Sequence, residues 1–382
     1  MDKKFSQRLS GIPPYLFASL DEIKKKMQKE GKRVFDLGVG DPDLPTVAGI
    51  VERAKIEVGK PENHRYPSYS GSMYFRRTAA EYIMKGFGPA LDPEKNIIAL
   101  IGSKEGIAHL PLAFVDPGDE VLIPEPGYPV YRDGTLFAGG RPVYMPLLKE
   151  NGFLPDLEYY LKEHKPRIVW INYPNNPTGV KCTDEFFRRS VELAQKHGFI
   201  LASDAAYIEV FKNGTSRPRS ILEFPGSEDC AIEFHSFSKM FNMTGWRVGF
   251  ACGNEHLVTG LGKIKKSVDS GIFDAIQNAV SSGLFESLQK MRSNMEIYFH
   301  RRTMFESFLP AMGLRPVSSD ATFYVWAEIS DGLSSAAKTE ELLKKYGILA
   351  SPGTGFGPSG EGYLRFSLTI SDKDLSELAG SF

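Results

Sequence analysis

Residues 231–252 read AIEFHSFSKMFNMTGWRVGFAC, a lysine and an arginine between two apolar runs. The runs Ala231 to His235 and Val248 to Cys252 are bounded by polar residues and glycine, and they predict two buried strands. Lys239 follows the first strand almost directly. Because lysine is almost never fully buried unless it is paired or reacting, its place beside a buried strand suggests a chemical role.

The side chains around this lysine suit a phosphate ester. Ser236 and Ser238 supply hydroxyl groups, and Arg247 supplies a cation that can bind an anion with two hydrogen bonds. A lysine beside such an anion site is what pyridoxal phosphate requires, because the amine forms an imine with the cofactor aldehyde and loses the charge that makes burial costly. The alternative is an exposed lysine and a structural arginine after a strand.

An acidic residue marks the end of another apolar run. Asp204, in Ser203-Asp204-Ala205-Ala206-Tyr207, follows the predicted strand Ile200 to Ser203. Open α/β sheets bind ligands at the carboxyl ends of their strands. A pyridine ring that stores electrons needs a carboxylate against its nitrogen, which Asp204 would provide. Tyr207 would lie one turn further on, if a helix starts here, within reach of the ring hydroxyl. A helix N-cap is the alternative role for Asp204.

A rigid loop follows a third predicted strand, Arg167 to Asn172. Residues 172–179 read NYPNNPTG, and their two prolines and one glycine restrict the backbone. Asn176 would therefore hold its amide in one direction, toward a single oxygen. The alternative is a turn that only connects a strand to a helix.

Short apolar runs alternate with helical patterns along most of the chain, and they predict a mostly parallel sheet with helices on both faces. The other predicted strands of this sheet are Ile97 to Ile101 and Glu120 to Ile123. Thr183 to His197 predicts a helix, because it opens with Thr-Asp-Glu and ends before Gly198.

The last hundred residues follow another pattern, with a long helical stretch from Ser282 to Phe308. After it come a predicted strand, a helix and a second strand, at Thr322 to Ile329, Ser335 to Tyr346 and Tyr363 to Thr369. We therefore expect an α/β protein with a large domain over residues 43–275. Residues 1–42 and 276–382 would form a smaller α+β domain with an N-terminal arm.

Composition excludes several classes of function. The 382 residues are 42% hydrophobic and 24% charged, with a net charge of -1 and no long run of like charges, so nucleic acid is not an expected partner. The chain has no apolar stretch of about 20 residues and no apolar segment near its start, so we expect a cytoplasmic protein without a membrane partner. Three separated cysteines and seven scattered histidines do not predict a metal site.

The order of these motifs resembles the class I and II aminotransferases, which have the aspartate aminotransferase fold (fold type I of pyridoxal-phosphate enzymes). The similarity runs from about Tyr15 to Thr369, and its motifs are NNPTG, SDAAY, SFSK and GWRVG. It implies that Lys239 holds pyridoxal phosphate as a Schiff base and shuttles the proton. It also implies that Asp204 meets the ring nitrogen, and that Asn176 and Tyr207 hold the ring hydroxyl.

The same resemblance implies further cofactor contacts. Tyr128 would stack on the face of the ring, and Tyr66 would reach the phosphate of a neighbouring subunit, which implies a homodimer. The phosphate would be bound at a helix start and by the residues after the lysine strand. These phosphate contacts are Ser103, Lys104, Ser236 and Arg247.

Arg365, in Leu364-Arg365-Phe366-Ser367, matches the family's arginine that binds the substrate α-carboxylate. A buried arginine in a strand is costly unless an anion meets it, and the alternative is an ion-paired arginine at a strand edge. Gly40 would let the backbone approach the same carboxylate. The full set of implied substrate contacts is Tyr15, Gly40, Lys104, Tyr128, Asn176 and Arg365.

Within the family the chain is more similar to the LL-diaminopimelate aminotransferases, through PPYLF at 13–17, GSKEGIAH at 102–109, NMTGWR at 242–247 and ATFYVW at 321–326. This resemblance implies ping-pong transfer of an amino group from LL-2,6-diaminopimelate to 2-oxoglutarate. Asp269 would be an acidic contact across a dimer. Thr178-Gly179-Val180 follows the general family pattern instead, which leaves aspartate, alanine and aromatic amino acids open as donors.

Two other functions would use the same motifs. A pyridoxal-phosphate lyase acting on a C–S bond would share every ring-binding residue and release ammonia and pyruvate without a 2-oxo acid. A non-catalytic regulator with an aminotransferase-like domain would need an added DNA-binding domain. Only about forty residues precede the first segment that matches the catalytic fold.

Overall fold

The computed structural model describes residues 6, 9, 11, 12 and 16–382. In this part of the chain the strands, in chain order, are β1 Phe35–Asp36, β2 Ile97–Leu100, β3 Glu120–Glu125, β4 Arg141–Pro146, β5 Ile168–Asn172, β6 Ile200–Asp204, β7 Ala231–Ser236, β8 Gly249–Gly253, β9 Leu314–Pro316, β10 Tyr324–Ile329, β11 Ile348–Leu349, β12 Ser351–Pro352 and β13 Tyr363–Ser367.

The α-helices of the same part alternate with these strands along much of the chain. They are α1 Leu16–Lys29, α2 Ala48–Val58, α3 Met73–Phe87, α4 Ser103–Phe114, α5 Val130–Phe137, α6 Leu157–Glu163, α7 Asp184–His197, α8 Ser227–Cys230, α9 Phe237–Met240, α10 Glu255–Val268, α11 Asp274–Glu306, α12 Ser335–Tyr346 and α13 Asp372–Ala379. Short 3₁₀ helices lie at Pro61–His64, Lys149–Asn151, Ile221–Glu223, Thr244–Trp246, Leu309–Met312, Gly353–Phe356 and Pro358–Gly360.

Seven strands form the central sheet, in the order β2-β8-β7-β6-β5-β3-β4. The strands from β7 to β4 run parallel, whereas β8 runs antiparallel to both of its neighbours. Side chains alternate between two buried clusters: Val169 and Ile171 belong to one, and Ile168 and Trp170 to the other. Each face of the sheet is therefore covered. The predicted α/β class with a mostly parallel sheet is confirmed.

The six strands predicted for this sheet are confirmed to within two residues at each end. The seventh, β4, was not predicted, since its sequence Arg141-Pro142-Val143-Tyr144-Met145-Pro146 contains two prolines. Prolines are tolerated there because β4 lies at the sheet edge, where one row of backbone groups needs no partner strand. The predicted helix before Gly198 is confirmed as α7, with the Thr183 hydroxyl accepting a hydrogen bond from the Phe186 amide.

A second, antiparallel sheet has the order β12-β13-β10-β9, and β1 pairs separately with β11. Its core includes Val325, Leu364 and Phe366, with Phe305 from the end of α11. The strands predicted at Thr322 to Ile329 and Tyr363 to Thr369 are shorter than expected, as β10 and β13, and the predicted helix Ser335 to Tyr346 is confirmed as α12.

The long helix α11 was predicted to begin at Ser282, and this prediction was wrong by eight residues, since the helix begins at Asp274. Ser281, Ser282 and Gly283 resemble a helix break in the sequence. In the structure Gly283 lies against Ile50 of α2, and a Cβ at Gly283 would be 3.3 Å from the Ile50 Cγ1. The small residue therefore allows α11 to pack closely on α2 rather than ending it.

The first half of α11 packs on α2 and α3, while its end contributes to the core of the second sheet. The division into residues 43–275 and residues 1–42 with 276–382 stays a prediction. Among the described helices, none is long and apolar enough to cross a membrane.

Candidate active site

Three neighbouring parallel strands place their last residues at one edge of the central sheet. β5, β6 and β7 end at Asn172, Asp204 and Ser236, and Asn172 lies beside Asp204 in the register. A cavity of about 340 Å³ opens at this edge. Ligands of open α/β sheets bind at such carboxyl ends.

The cavity brings together eleven of the residues predicted to bind cofactor or substrate. They are Gly40, Ser103, Lys104, Tyr128, Asn176, Asp204, Tyr207, Ser236, Lys239, Arg247 and Arg365. They come from segments spread over more than 300 residues of sequence. One side is formed by the large sheet, and another by β13 and the segment before α2.

Two predicted contacts are placed elsewhere, and a third is not described. Tyr15 lies outside the described residues. Tyr66 is 89% exposed and does not line the cavity. Asp269 accepts two hydrogen bonds from the Lys265 amine, at 2.8 and 2.9 Å, and one from the Gly271 amide. The carboxylate of Asp269 is therefore engaged within its own chain.

Lys239 belongs to the short helix α9, which follows β7 directly and turns the lysine side chain into the cavity. Its Nζ donates a hydrogen bond to the carbonyl oxygen of Gly40, at 2.8 Å. Burial lowers the pKa of the Lys239 amine to about 8, an effect that Asp41 opposes. A substantial fraction of this amine is therefore neutral near physiological pH, as a nucleophile or a base must be.

Asp204 is buried at the end of β6, and both of its hydrogen-bond donors are neutral. The Tyr131 hydroxyl donates to Oδ2 at 2.7 Å, and the Ala206 amide donates to Oδ1 at 3.1 Å. Burial raises the pKa of the Asp204 carboxyl to about 6, although both hydrogen bonds lower it. Residues 206–209 form a turn and not a helix, so the N-cap alternative for Asp204 is wrong, as is the helix considered for Tyr207.

The NYPNNPTG loop is fixed by its first asparagine. The Asn172 side chain accepts a hydrogen bond from the backbone amide of Asn176 at 2.9 Å. It also donates one to the backbone carbonyl oxygen of Asp204 at 2.8 Å. It thereby ties the loop to the end of β6. Asn176 Oδ1 accepts a hydrogen bond from Arg365 at 2.9 Å. The loop is more than a connecting turn, because it joins the carboxylate and arginine sides of the cavity.

Arg365 is fully buried in β13, which lies between β12 and β10, so the strand-edge alternative is wrong. Its Nη2 donates to the carbonyl oxygen of Gly38 at 2.6 Å. The guanidinium carbon lies 4.1 Å from the centre of the Tyr324 ring and 4.6 Å from that of Phe356. These contacts hold a planar cation in one orientation at the cavity wall, which suits a carboxylate.

The far end of the cavity is suited to an oxyanion. α4 begins there with Ser103, and the helix N-terminus carries partial positive charge. Arg247 donates to the carbonyl oxygen of Thr244 at 2.7 Å and packs so closely on Gly102 that a Cβ at that position would overlap it. The hydroxyl of Ser238 is buried in the same lining and has no hydrogen-bond partner among the described residues.

Sequence reasoning did not assign a site role to three residues that matter here: Asn172, Tyr131 and Tyr324. Tyr131 follows Tyr128 by three residues in the sequence, which is the only signal that the sequence gives of a shared site. Tyr324 lies in the ATFYVW segment, but its contact with Tyr207, at 2.8 Å between the hydroxyl oxygens, depends on the folding of distant segments.

Comparison with known proteins places this site in a family. The family model described as aminotransferase class I and II matches residues 32–382. The LL-diaminopimelate aminotransferase of Aquifex aeolicus is 50% identical over 378 residues, which are 98% of this chain and 97% of that protein. The chain belongs to the class I and II aminotransferases. It is a pyridoxal-phosphate-dependent transaminase, and the predicted family, enzyme class and cofactor are confirmed.

Solved structures agree on the fold. Apo-BacF of Bacillus subtilis superposes with a TM-score of 0.94 at 32% identity, over 99% of this chain and 97% of that one. A single mutant of the Thermus thermophilus aspartate aminotransferase gives 0.90 at 26% identity, over 100% and 99%. The predicted aspartate aminotransferase fold of this chain is therefore confirmed.

The cavity of this aminotransferase fits pyridoxal phosphate at three separate points. A partly neutral lysine amine suits the aldehyde, and the hydroxyl of Ser238 suits the phosphate at the α4 N-terminus. The carboxylate of Asp204 is costly to bury beside neutral donors, and a protonated ring nitrogen would offset that cost.

We predict that Asp204→Asn stabilises the apo-protein at pH 8. The folded-state pKa of Asp204, about 6, lies above its ordinary value of 3.8, so wild-type stability falls as the pH rises from about 4 to 6 and stays lower above that. The variant does not undergo this loss of stability, which is worth about 3 kcal/mol. Urea unfolding followed by circular dichroism should show the difference at pH 8 and a smaller one at pH 5.

Asp269→Asn is the matched control, since it removes a charge that is paired with Lys265 and should lower the stability at pH 8. Equal stabilisation by both substitutions, or a gain for Asp204→Asn that does not change with pH, would contradict a costly buried charge at Asp204.

Proposed function

We propose that this enzyme transfers the amino group of LL-2,6-diaminopimelate to 2-oxoglutarate by a ping-pong mechanism. The transfer is supported by one observation above the others: the amine of Lys239, the carboxylate of Asp204 and the guanidinium of Arg365 meet in one cavity. The diaminopimelate donor is supported by the names of relatives 43–50% identical to this chain.

Each part of the cofactor has a group in the cavity that would bind it. Asp204 would hold the ring nitrogen, Asn176 and Tyr207 the ring hydroxyl, and Tyr128 the ring face. The phosphate would lie against Ser103, Lys104, Ser236, Ser238 and Arg247. Bound there, pyridoxal phosphate supplies an aldehyde that takes up the amino group and a ring that stores the electron pair of the substrate Cα.

The chain itself orients the substrate and moves its proton. Arg365 would bind the α-carboxylate, beside the backbone of Gly40, so that the Cα–H bond faces Lys239. The Lys239 Nζ, already on the Gly40 side of the cavity, would take the proton from Cα and later return it. Its pKa of about 8 is close to the operating pH that favours such a base.

Charge at the cavity wall favours a donor with a polar far end. Diaminopimelate carries an ammonium and a carboxylate away from the reacting carbon, so its recognition needs groups of both signs. The cavity is lined by Asp41 and Lys104, which supply them. The Thr244 hydroxyl donates to Asp41 at 2.6 Å and keeps that carboxylate in place. An aspartate or alanine side chain would leave at least one of these charges unused.

We predict that Lys239→Ala abolishes amino transfer, with kcat reduced by more than about 10⁴-fold, because both the covalent attachment and the base are lost. Absorbance spectra should show that the cofactor no longer gives the band of the lysine-bound form. Lys266→Ala, which removes an exposed lysine of α10, is the control and should keep both properties. Substantial turnover by Lys239→Ala would remove the proposed mechanism.

The donor is tested by a screen with 2-oxoglutarate as acceptor, in which glutamate formation is measured. We expect kcat/KM for LL-diaminopimelate to exceed that for aspartate, alanine and phenylalanine by at least about 10-fold, because the exposed charges of Asp41 and Lys104 each contribute up to about 1 kcal/mol. Comparable values for aspartate would end the diaminopimelate assignment and leave a general aminotransferase. Ammonia and pyruvate release without an oxo acid would instead indicate a lyase.

We also propose a homodimer, because one surface exposes several large apolar side chains. They lie on the end of α2, the segment after it and the turn before α11: Ile56, Val58, Tyr66, Tyr69 and Phe273. His64 and Phe273 have ring centres 6.2 Å apart, so these segments adjoin. A second copy of this chain would cover the patch and bring Tyr66 to the neighbouring site.

Sedimentation velocity tests the dimer directly. We expect a particle of twice the 42.5 kDa chain mass at micromolar concentration, and a Val58→Asp variant should shift it toward the monomer. Asp156→Ala, on the surface of another part of the chain, is the control. A wild-type chain that sediments as a monomer while it transfers amino groups would rule out a site completed by Tyr66.

Two further expectations are proposals of the same kind. The enzyme would act in the cytoplasm, where Cys182, Cys230 and Cys252 stay reduced; all three are free thiols. Activity that fractionates with membranes would contradict this location. The domain division at residue 275 is supported by α11, which begins on α2 and α3 and ends in the second sheet's core.

A further inference from the structure

Tyr324 lies where the second sheet meets the large one. It is the first residue of β10, only 3% exposed, and it lines the cavity. Its backbone is held on both sides: the amide donates to the Thr322 hydroxyl at 3.1 Å, and the carbonyl oxygen accepts from Arg302 at 2.6 Å. The Tyr324 ring therefore enters the cavity from a rigid support.

The hydroxyl of Tyr324 contacts the hydroxyl of Tyr207, with 2.8 Å between the two oxygens. Both rings are buried, and their centres are 5.4 Å apart in an edge-to-face arrangement. Each phenol has one proton to donate and can also accept. If the proton of Tyr207 points at a ligand, the proton of Tyr324 must point at Tyr207.

The ring of Tyr324 serves a second group. The Arg365 guanidinium lies over it at 4.1 Å, and the same guanidinium donates to Asn176 Oδ1. The Tyr324 side chain also packs directly against the backbone of Gly40, because a Cβ at position 40 would overlap the Tyr324 hydroxyl. Tyr324 thus contacts three of the residues proposed to hold cofactor or substrate: Tyr207, Arg365 and Gly40.

We infer that Tyr324 is a positioning residue of the amino transfer, whose hydroxyl directs the proton of Tyr207 to the ring hydroxyl of the cofactor and whose ring orients Arg365 for the substrate carboxylate. The inference rests on the proposed function of the site. It adds a requirement that a packing role would not impose: the hydroxyl and the ring of Tyr324 must have separable effects.

The hydroxyl acts through hydrogen-bond polarisation. A phenol that accepts a hydrogen bond becomes a stronger donor itself, so Tyr324 strengthens the bond from Tyr207 to the cofactor oxygen. That bond favours the anionic form of the oxygen. Loss of the Tyr324 hydroxyl should therefore raise the pH at which the absorbance of the bound cofactor changes.

The first experiment is a spectrophotometric titration of the holoenzyme. Tyr324→Phe keeps the ring and removes the hydroxyl, and the cofactor titration should move up by about 0.5 pH unit. Tyr207→Phe should produce a larger rise. In the Tyr207→Phe background, the additional Tyr324→Phe substitution should not shift the cofactor titration further, since the Tyr324 hydroxyl acts through the Tyr207 hydroxyl.

Tyr173→Phe is the matched control. Tyr173 is as buried as Tyr324, and its hydroxyl also makes a 2.8 Å hydrogen bond, to the carbonyl oxygen of Phe153 outside the cavity. This variant should lose comparable stability and leave the titration unchanged. A shift in Tyr173→Phe equal to that in Tyr324→Phe would overturn the inference, because general loosening would then explain both.

The second experiment separates the ring from the hydroxyl. Tyr324→Phe should leave the KM for the amino donor within about twofold, whereas Tyr324→Leu, which removes the ring over Arg365, should raise it roughly tenfold. An equal KM in both variants would overturn the role in orienting Arg365. A wild-type protein without any titrating cofactor band would refute the proposed function itself, whereas a normal wild-type titration that Tyr324→Phe does not move refutes only the role of Tyr324.

Discussion

The constraint on which the site depends is the burial of the Asp204 carboxylate at the end of β6. A phenol and an amide donate to it, and burial still raises its pKa to about 6. A neighbouring carboxylate shows the contrast. Glu233, one strand away and equally buried, accepts from two serine hydroxyls, a backbone amide and the His235 ring. Glu233 is satisfied within the fold, whereas Asp204 gains from a cation that a ligand would bring.

The fold supplies this arrangement because parallel strands end together. Asn172 and Asp204 are partners in the register, and the Asn172 side chain then fixes the loop that carries Asn176. The turn after Asp204 ends at Glu209. This carboxylate is buried and pairs with Arg217 and Arg292, which fixes the end of the turn. Tyr207 therefore sits between two fixed points. The positions of the reactive groups follow from the order of the strands and from buried hydrogen bonds. Neither depends on which residues occupy the protein surface.

Most of this could be read from the sequence, for identifiable physical reasons. Strands of a sheet buried on both faces are apolar runs, so six of the seven were predicted. Asp204 and Lys239 stand out because each charge lies at or just after the end of such a run. β4 was not predicted, because its two prolines argue against a strand in the sequence, although an edge strand tolerates them. The start of α11 escaped notice because Gly283 is used for close helix packing and not for a break.

The site residues that were missed share one property: their role depends on a contact between segments far apart in the chain. Tyr131 meets Asp204 across 73 residues, and Tyr324 meets Tyr207 across 117. No local sequence pattern predicts such a pair, because a buried tyrosine is also common in a hydrophobic core that has no functional site. Tyr66 shows the opposite case. Its predicted role depends on a second chain, and in one chain it is simply an exposed ring.

Donor choice has to lie in a small part of the cavity. The backbone superposes with TM-scores of 0.94 and 0.90 on BacF and on a protein named for aspartate, at 32% and 26% identity, so the fold alone does not select a substrate. The groups that would hold the ring and the α-carboxylate are needed for any amino acid. The cavity lining also includes Asp41, whose carboxylate accepts a hydrogen bond from Thr244, and Lys104 on the first turn of α4, which is proposed to contact the phosphate as well. These two exposed groups of opposite charge favour a substrate whose far end carries the complementary pair, because a donor without that pair would leave both charges to water.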